Sequence, residues 1–123
     1  MSRVVLAAAL AVAVSLLAIA GAAASPQAHA AKTCHLGASE SRHMGATYVT
    51  SLNVRHVSCK TGKSVVRAYQ KCRSRHGYMG RCGHAAGYSC SRHLIDRSSV
   101  AYDARVTCRR GSKRVVHTYQ QDK

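Results

Sequence analysis

The chain has 123 residues, with 19 Lys and Arg set against four Asp and Glu, and a formal charge of +15 at pH 7. A surface with that balance cannot neutralise itself through internal ion pairs, so it attracts polyanions: nucleic acid, anionic lipid, acidic wall polymers or an acidic protein. Four carboxylates, none spaced as a pair, exclude the acid–base pair of a glycosidase-type enzyme.

The first segment reads as an export signal. Arg3 is the only charge ahead of an apolar stretch from Val4 to Leu17 that only Ser15 interrupts. Small residues then lead to Ala28-His29-Ala30, an A-x-A cleavage pattern, with Ala22-Ala23-Ala24 as a second candidate cut. The stretch is alanine-rich and shorter than the ~20 apolar residues of a spanning helix. Thr33, in place of a lipoprotein signature, precedes Cys34. Residues 1–30 are therefore expected to be a cleaved signal peptide, and the product secreted or wall-associated with no membrane span.

Cleavage after Ala30 leaves 93 of the 123 residues, enough for one small domain, and removes Arg3 alone among the charges, giving 18 cations against four anions, or +14. A domain of that size buries only about 60–65% of its unfolded surface and is marginal unless stapled. Without Phe or Trp, its core must use Val, Leu, Ile, Ala and the six Tyr. All six cysteines lie after residue 30, and an even count in an oxidising compartment reads as three disulfides.

Residues 31–45 are polar and glycine-dotted, and read as a flexible arm tethered by Cys34. From Ala46 to Val57 the chain reads as a strand, with Tyr48, Leu52 and Val54 on one side and Val49, Ser51, Asn53 and Arg55 on the other. An amphipathic helix follows, about Thr61 to Arg75, ending at Gly77. Val65, Val66, Ala68, Tyr69 and Cys72 share its apolar arc, while Lys63, Arg67, Gln70 and Ser74, flanked by Lys60 and Lys71, form the opposite face. Its small side chains suit packing on a sheet better than lying on a membrane.

Gly77 to Gly87 is a glycine-rich loop containing Cys82, with its ends tied by Cys72–Cys82. Tyr88, Cys90, Arg92 and Leu94 alternate in a second strand, and Asp96-Arg97-Ser98-Ser99 supplies a turn. In the third strand Val100, Tyr102, Ala104, Val106 and Cys108 face one way, and Ala101, Asp103, Arg105, Thr107 and Arg109 the other. Arg110-Gly111-Ser112 turns the chain into a last strand carrying Val115, His117 and Tyr119. The expected fold is α+β: a small antiparallel sheet, β-α-β-β-β, with one amphipathic helix on one face, stapled by disulfides over residues 46–123. A hairpin centred near Ser99 sets Cys90 opposite Cys108, which leaves Cys34 to bridge Cys59. Spacing alone permits roughly fifteen connectivities.

No motif names a reaction. Thr61-Gly62-Lys63-Ser64 looks like the end of a phosphate-binding loop, but the glycine that motif needs five residues earlier is Val57. Cys72 with His76, Cys82 with His84 and Cys90 with His93 lack the paired spacing of a zinc finger, and disulfides compete for the same cysteines. No metal or cofactor is expected. Histidines at His56, His93 and His117, with Lys60 or Lys63 nearby, allow a small secreted ribonuclease-like hydrolase as an alternative. A secreted inhibitor presenting the Gly77–Gly87 loop is another. The leading expectation is a monomeric, non-enzymatic module whose basic face, Lys60, Lys63, Arg67 and Lys71, binds an anionic polymer or an acidic protein.

Val57-Ser58-Cys59, the helix segment Val65-Val66-Arg67-Ala68-Tyr69, then Gly87-Tyr88-Ser89-Cys90 and Val106-Thr107-Cys108-Arg109-Arg110-Gly111 carry a resemblance. Across residues 48–119 the chain resembles small secreted, cysteine-containing proteins of high-GC Gram-positive bacteria, a group generally labelled uncharacterised. The resemblance implies an exported α+β domain without established catalytic residues. Many of those proteins carry alanine about three residues after the first core cysteine. Gly62 stands here instead, which is expected to weaken the helix start.

Overall fold

Alternation of apolar and polar residues, broken by local bulges, builds one sheet, and the computed structural model describes it over residues 30–123. The expected signal peptide, Ala30 apart, lies outside the described residues. In chain order the elements are β1 (Lys32–Thr33), α1 (Ala38–Arg42), β2 (Tyr48–Arg55), α2 (Cys59–Ser74), β3 (His84–Ala85), β4 (Tyr88–Arg97), β5 (Ala101–Arg110) and β6 (Lys113–Asp122). The six strands form a single antiparallel sheet in the order β1-β2-β6-β5-β4-β3, with α2 packed on one face. The α+β architecture expected from the sequence is present, and β1, α1 and β3 are added to it. Two-residue strands and a five-residue helix are too short to show a period.

Helix α2 starts two residues earlier than expected, because the Ser58 hydroxyl caps it by accepting from the Thr61 amide at 3.1 Å. Val65, Val66 and Tyr69 bury completely against Leu52, Val54, Ala104, Val106, Val115 and Tyr119 of the sheet. Ala68 and Cys72, expected beside them, are only partly buried. Gly62 strengthens the helix–sheet contact. A Cβ at that position would lie 2.5 Å from Val54 Cγ1, so only glycine lets the first turn press onto β2. The missing Phe and Trp are replaced by tyrosines: Tyr69, Tyr119, Tyr102 and Tyr78 form a chain of ring contacts with centroids 5.1–6.4 Å apart.

Two local departures from the expected pattern have clear causes. A bulge between Val49 and Ser51 lets Val49 turn inward beside Leu52, instead of outward with Ser51. The β4–β5 turn falls one residue later than expected. Strand β4 continues through Arg97, so Val100 sits in the turn and is 68% exposed.

Residues 31–45, read as an arm, lie against the domain. Lys32 and Thr33 pair with Val54 and Asn53, and Met44 is buried. Ser41 in α1 donates to the Val49 carbonyl at 2.8 Å.

Three disulfides are present: Cys34–Cys59, Cys72–Cys82 and Cys90–Cys108, with Cα separations of 5.6, 5.7 and 4.1 Å. Cys90 and Cys108 are direct cross-strand partners, as the hairpin centred near Ser99 requires. The other two bridges join α2 to the sheet margins. Cys59, the first helical residue, is tied to Cys34 beside the edge strand β1. Cys72, in the last turn, is tied to Cys82 just before β3 at the opposite edge. For a closed loop of about 10–25 residues, each bridge stabilises by roughly 3 kcal/mol.

Candidate functional site

The cationic stripe on α2 is real but partly neutralised. Lys60, Arg67 and Lys71 are exposed and Lys63 is half-buried. Lys63 Nζ donates to Glu40 Oε2 at 2.8 Å and Arg67 Nη2 to Glu40 Oε1 at 3.3 Å. The Lys63 hydrogen bond, helped by Arg67, holds the Glu40 carboxyl below its ordinary 4.5. Lys60 and Lys71 alone keep their full charge toward solvent. Glu40 sits on α1, so this pairing depends on the docked segment ahead of β2.

A second cationic surface lies on the sheet face away from α2. Arg55 of β2 pairs in register with Arg114 of β6, and Arg114 pairs with Arg109 of β5. Directly opposed residues have Cβ atoms about 4.5–5.5 Å apart, where like charges repel. Three guanidinium groups thus form a row across neighbouring strands. No hydrogen bond, ion pair or ring contact engages them among the described residues. The nearest carboxylate on β5, Asp103, is six residues along from Arg109, about 20 Å away at strand rise. The Nε atoms of Arg55 and Arg114 are buried and have no partner. A cleft of about 310 Å³ opens beside them. Sequence alternation places Arg55 and Arg109 outward. What aligns them is Arg114, and that requires β6 to insert between β2 and β5.

Another arginine lies inside the molecule. Arg73 is 2% exposed, and neutral acceptors take up its guanidinium: Gln70 Oε1 at 2.7 Å, Gln121 Oε1 at 2.7 Å, the Tyr102 hydroxyl at 3.1 Å and the Tyr78 carbonyl at 3.3 Å. Its Cζ stands 5.1 Å over the Tyr119 ring. Gln70, expected on the outer face, is fully buried. It follows Val66 by four positions, about 40° round the helix, and so shares the inward side.

These contacts fix the state of His117. Arg73 Nε must donate, so Gln70 turns its oxygen to Arg73 and its amide nitrogen to His117 Nε2, 3.2 Å away. His117 Nε2 then accepts and the ring proton lies on Nδ1, which is buried without a partner. Burial lowers the His117 pKa from 6.5 to about 3. A ring locked neutral in the core cannot serve as an acid or base near neutral pH. His93 is exposed on the outer sheet face, opposed to Arg105, and His56 occupies a left-handed turn residue (φ 57°) after β2. His93 and His117 therefore project from opposite faces of the sheet, so these two histidines of the ribonuclease-like alternative are not brought to one phosphate.

All six cysteines are in disulfides, and among the described residues no three His, Cys, Asp or Glu side chains converge as metal ligands. The Gly77–Gly87 loop is held rather than presented freely. Cys82 and Ala85 are buried in it, and Arg92 Nη1 donates to the Met79 and Gly80 carbonyls at 3.1 and 3.0 Å. Among the described residues no helix is long and apolar enough to cross a membrane. No protein-family model, curated protein or solved structure matches the chain.

Proposed function

We propose that this chain is an exported, non-enzymatic module that binds anionic polymers, such as cell-wall polymer or nucleic acid, or an acidic partner protein. The observation that carries this reading is the absence of internal neutralisation. Both ion pairs among the described residues use the same carboxylate, Glu40, so most of the cations face outward unpaired. Two surfaces contribute: the Lys60 and Lys71 end members of the helix stripe, and the arginine row on the sheet. Export is supported by the leader pattern and by three disulfides, which persist in oxidising compartments. N-terminal sequencing of protein recovered from the medium is expected to begin at Ser25 or Ala31.

Binding of this kind proceeds through counterion release. Affinity for heparin or duplex DNA should fall about a thousandfold between 50 and 200 mM salt if six or more anionic groups are contacted. Retention that survives about 1 M salt unchanged would overturn the electrostatic reading, since the Debye length there is only about 3 Å.

A further inference from the structure

The cleft on the outer sheet face has a composition that a merely solvated charged surface lacks. Arg55 and Arg114 form its charged wall, and Ala30, Ala31, Asn53, Val54 and Val116 make a small remainder without charged side chains. Both guanidinium Nε atoms are buried behind that wall without a hydrogen-bond partner. An arginine donor cannot be titrated away, and leaving one buried and unpaired costs about 1–3 kcal/mol or more. Repulsion across the Arg55–Arg114–Arg109 row adds to that cost. An oxyanion in the cleft would take hydrogen bonds from the two guanidinium groups, which no side chain or carbonyl engages among the described residues, and would cancel the repulsion.

We propose that this cleft binds the phosphate group of an aliphatic phosphate ester, with Arg55 and Arg114 sharing its oxygens. The proposal deepens the polyanion reading, resting on it only in taking the ligand to be anionic. One fork can occupy both oxygens of a carboxylate, whereas a phosphate ester offers its non-bridging oxygens to two forks at once. Among the described residues no aromatic side chain lines the cleft, so they offer no platform on which a base could stack. The alanines and Val116 suit methylene groups, and Asn53 supplies one amide for a hydroxyl. A volume of about 310 Å³ fits a ligand the size of glycerol phosphate, at the small end of ligand sites.

The test uses oxidised protein made from the full chain, titrated by calorimetry and by NMR of the arginine Nε–H signals. Probes are glycerol 3-phosphate, a glycerol phosphodiester, inorganic phosphate, sulfate and adenosine monophosphate. Glycerol 3-phosphate or the diester should bind one to one and shift the Arg55 and Arg114 Nε–H signals. Which of the two binds more tightly tells a free monoester from a polymer unit. Arg55→Gln and Arg114→Gln should each weaken binding at least about tenfold, while Arg75→Gln, which removes the same charge from the exposed end of α2, leaves it within about twofold. Arg55→Lys keeps charge and fold but removes the fork, and should lose binding as well.

Equal losses in all variants would reduce the site to net charge and overturn it. So would tighter binding of the nucleotide or of sulfate than of glycerol 3-phosphate. Heparin retention without one-to-one ester binding would sink the site and leave the polyanion reading standing. Ester binding without salt-sensitive polyanion retention would do the reverse.

Discussion

Two hollows of nearly equal size, about 300 and 310 Å³, each adjoin an arginine, and they differ in what the arginine still lacks. Beside Arg73 the protein has filled every direction of the guanidinium with its own acceptors, including Gln70, Gln121, Tyr102 and a carbonyl. Beside Arg55 and Arg114 it has supplied none to the Nε atoms. The first arrangement holds the helix end to the sheet without a single carboxylate. The second leaves the Nε donors buried without a partner. What makes a cation a binding group here is therefore unsatisfied geometry, since charge alone is the same in both places.

The largest effect should come from Arg73. Arg73→Leu strands the side-chain oxygens of Gln70 and Gln121, while the Tyr102 hydroxyl and the Tyr78 carbonyl keep their own bond, and should destabilise by about 3–5 kcal/mol in urea unfolding. Arg73→Lys should recover little, because one ammonium cannot replace a planar fork with several partners. A loss below about 1 kcal/mol would mean that the interior arginine is no better used than the outer ones.

His117 belongs to the same interior network and sets its response to acid. The unfolded chain protonates this ring below pH 6.5, while the folded protein resists until about 3. The unfolded state thus binds more protons in that window, and stability must fall as pH drops from about 6.5 toward 3. Between pH 7 and 4 the ring should account for about 2–3 kcal/mol of lost stability. In His117→Leu the pH slope over that range should be correspondingly shallower. An unchanged slope would show that the ring is hydrated in the folded protein.

At the outer row the sign reverses. Arg114→Leu removes an orphaned donor and its repulsion with two like-charged neighbours, and should raise stability by roughly 0.5–1 kcal/mol in anion-free buffer. Destabilisation by more than about 2 kcal/mol would reassign the row to structure. The smallest change is expected from Glu40→Gln. The ion pairs of Glu40 are present above the ordinary carboxylate pKa and are lost as pH falls through its lowered value. Removing them should scarcely move the unfolding midpoint, but it frees Lys63 and Arg67 and should raise the salt needed to elute the protein from heparin.

Much of the scaffold was legible in the residue order because its signals are local. Alternation marked the four long strands, and the Val65–Tyr69 arc marked the helix. The shared parity of Cys90 and Cys108 gave their bridge. The Arg110-Gly111-Ser112 turn, centred on Gly111, would set Arg109 opposite Lys113; the tighter Gly111-Ser112 turn sets it opposite Arg114. What stayed hidden depends on distant partners. Arg55 joins the row only through pairing with a strand almost sixty residues later, and Gln70 is buried because His117, 47 positions away, receives it. Glu40 quenches half of the helix stripe from a segment whose composition suggested an arm. Gly62 looked like a weak helix start because the sequence cannot show how closely Val54 approaches it.

The bridges at the two margins of the sheet give the molecule separate fasteners. Cys34–Cys59 secures the strand next to Ala30 and Ala31, which wall the outer cleft, whereas Cys72–Cys82 secures the helix end that carries Arg73. Reductive damage at the first would undo the exterior pocket while the interior stayed sealed. Damage at the second would unlatch the core and spare the pocket, so each has its own point of failure.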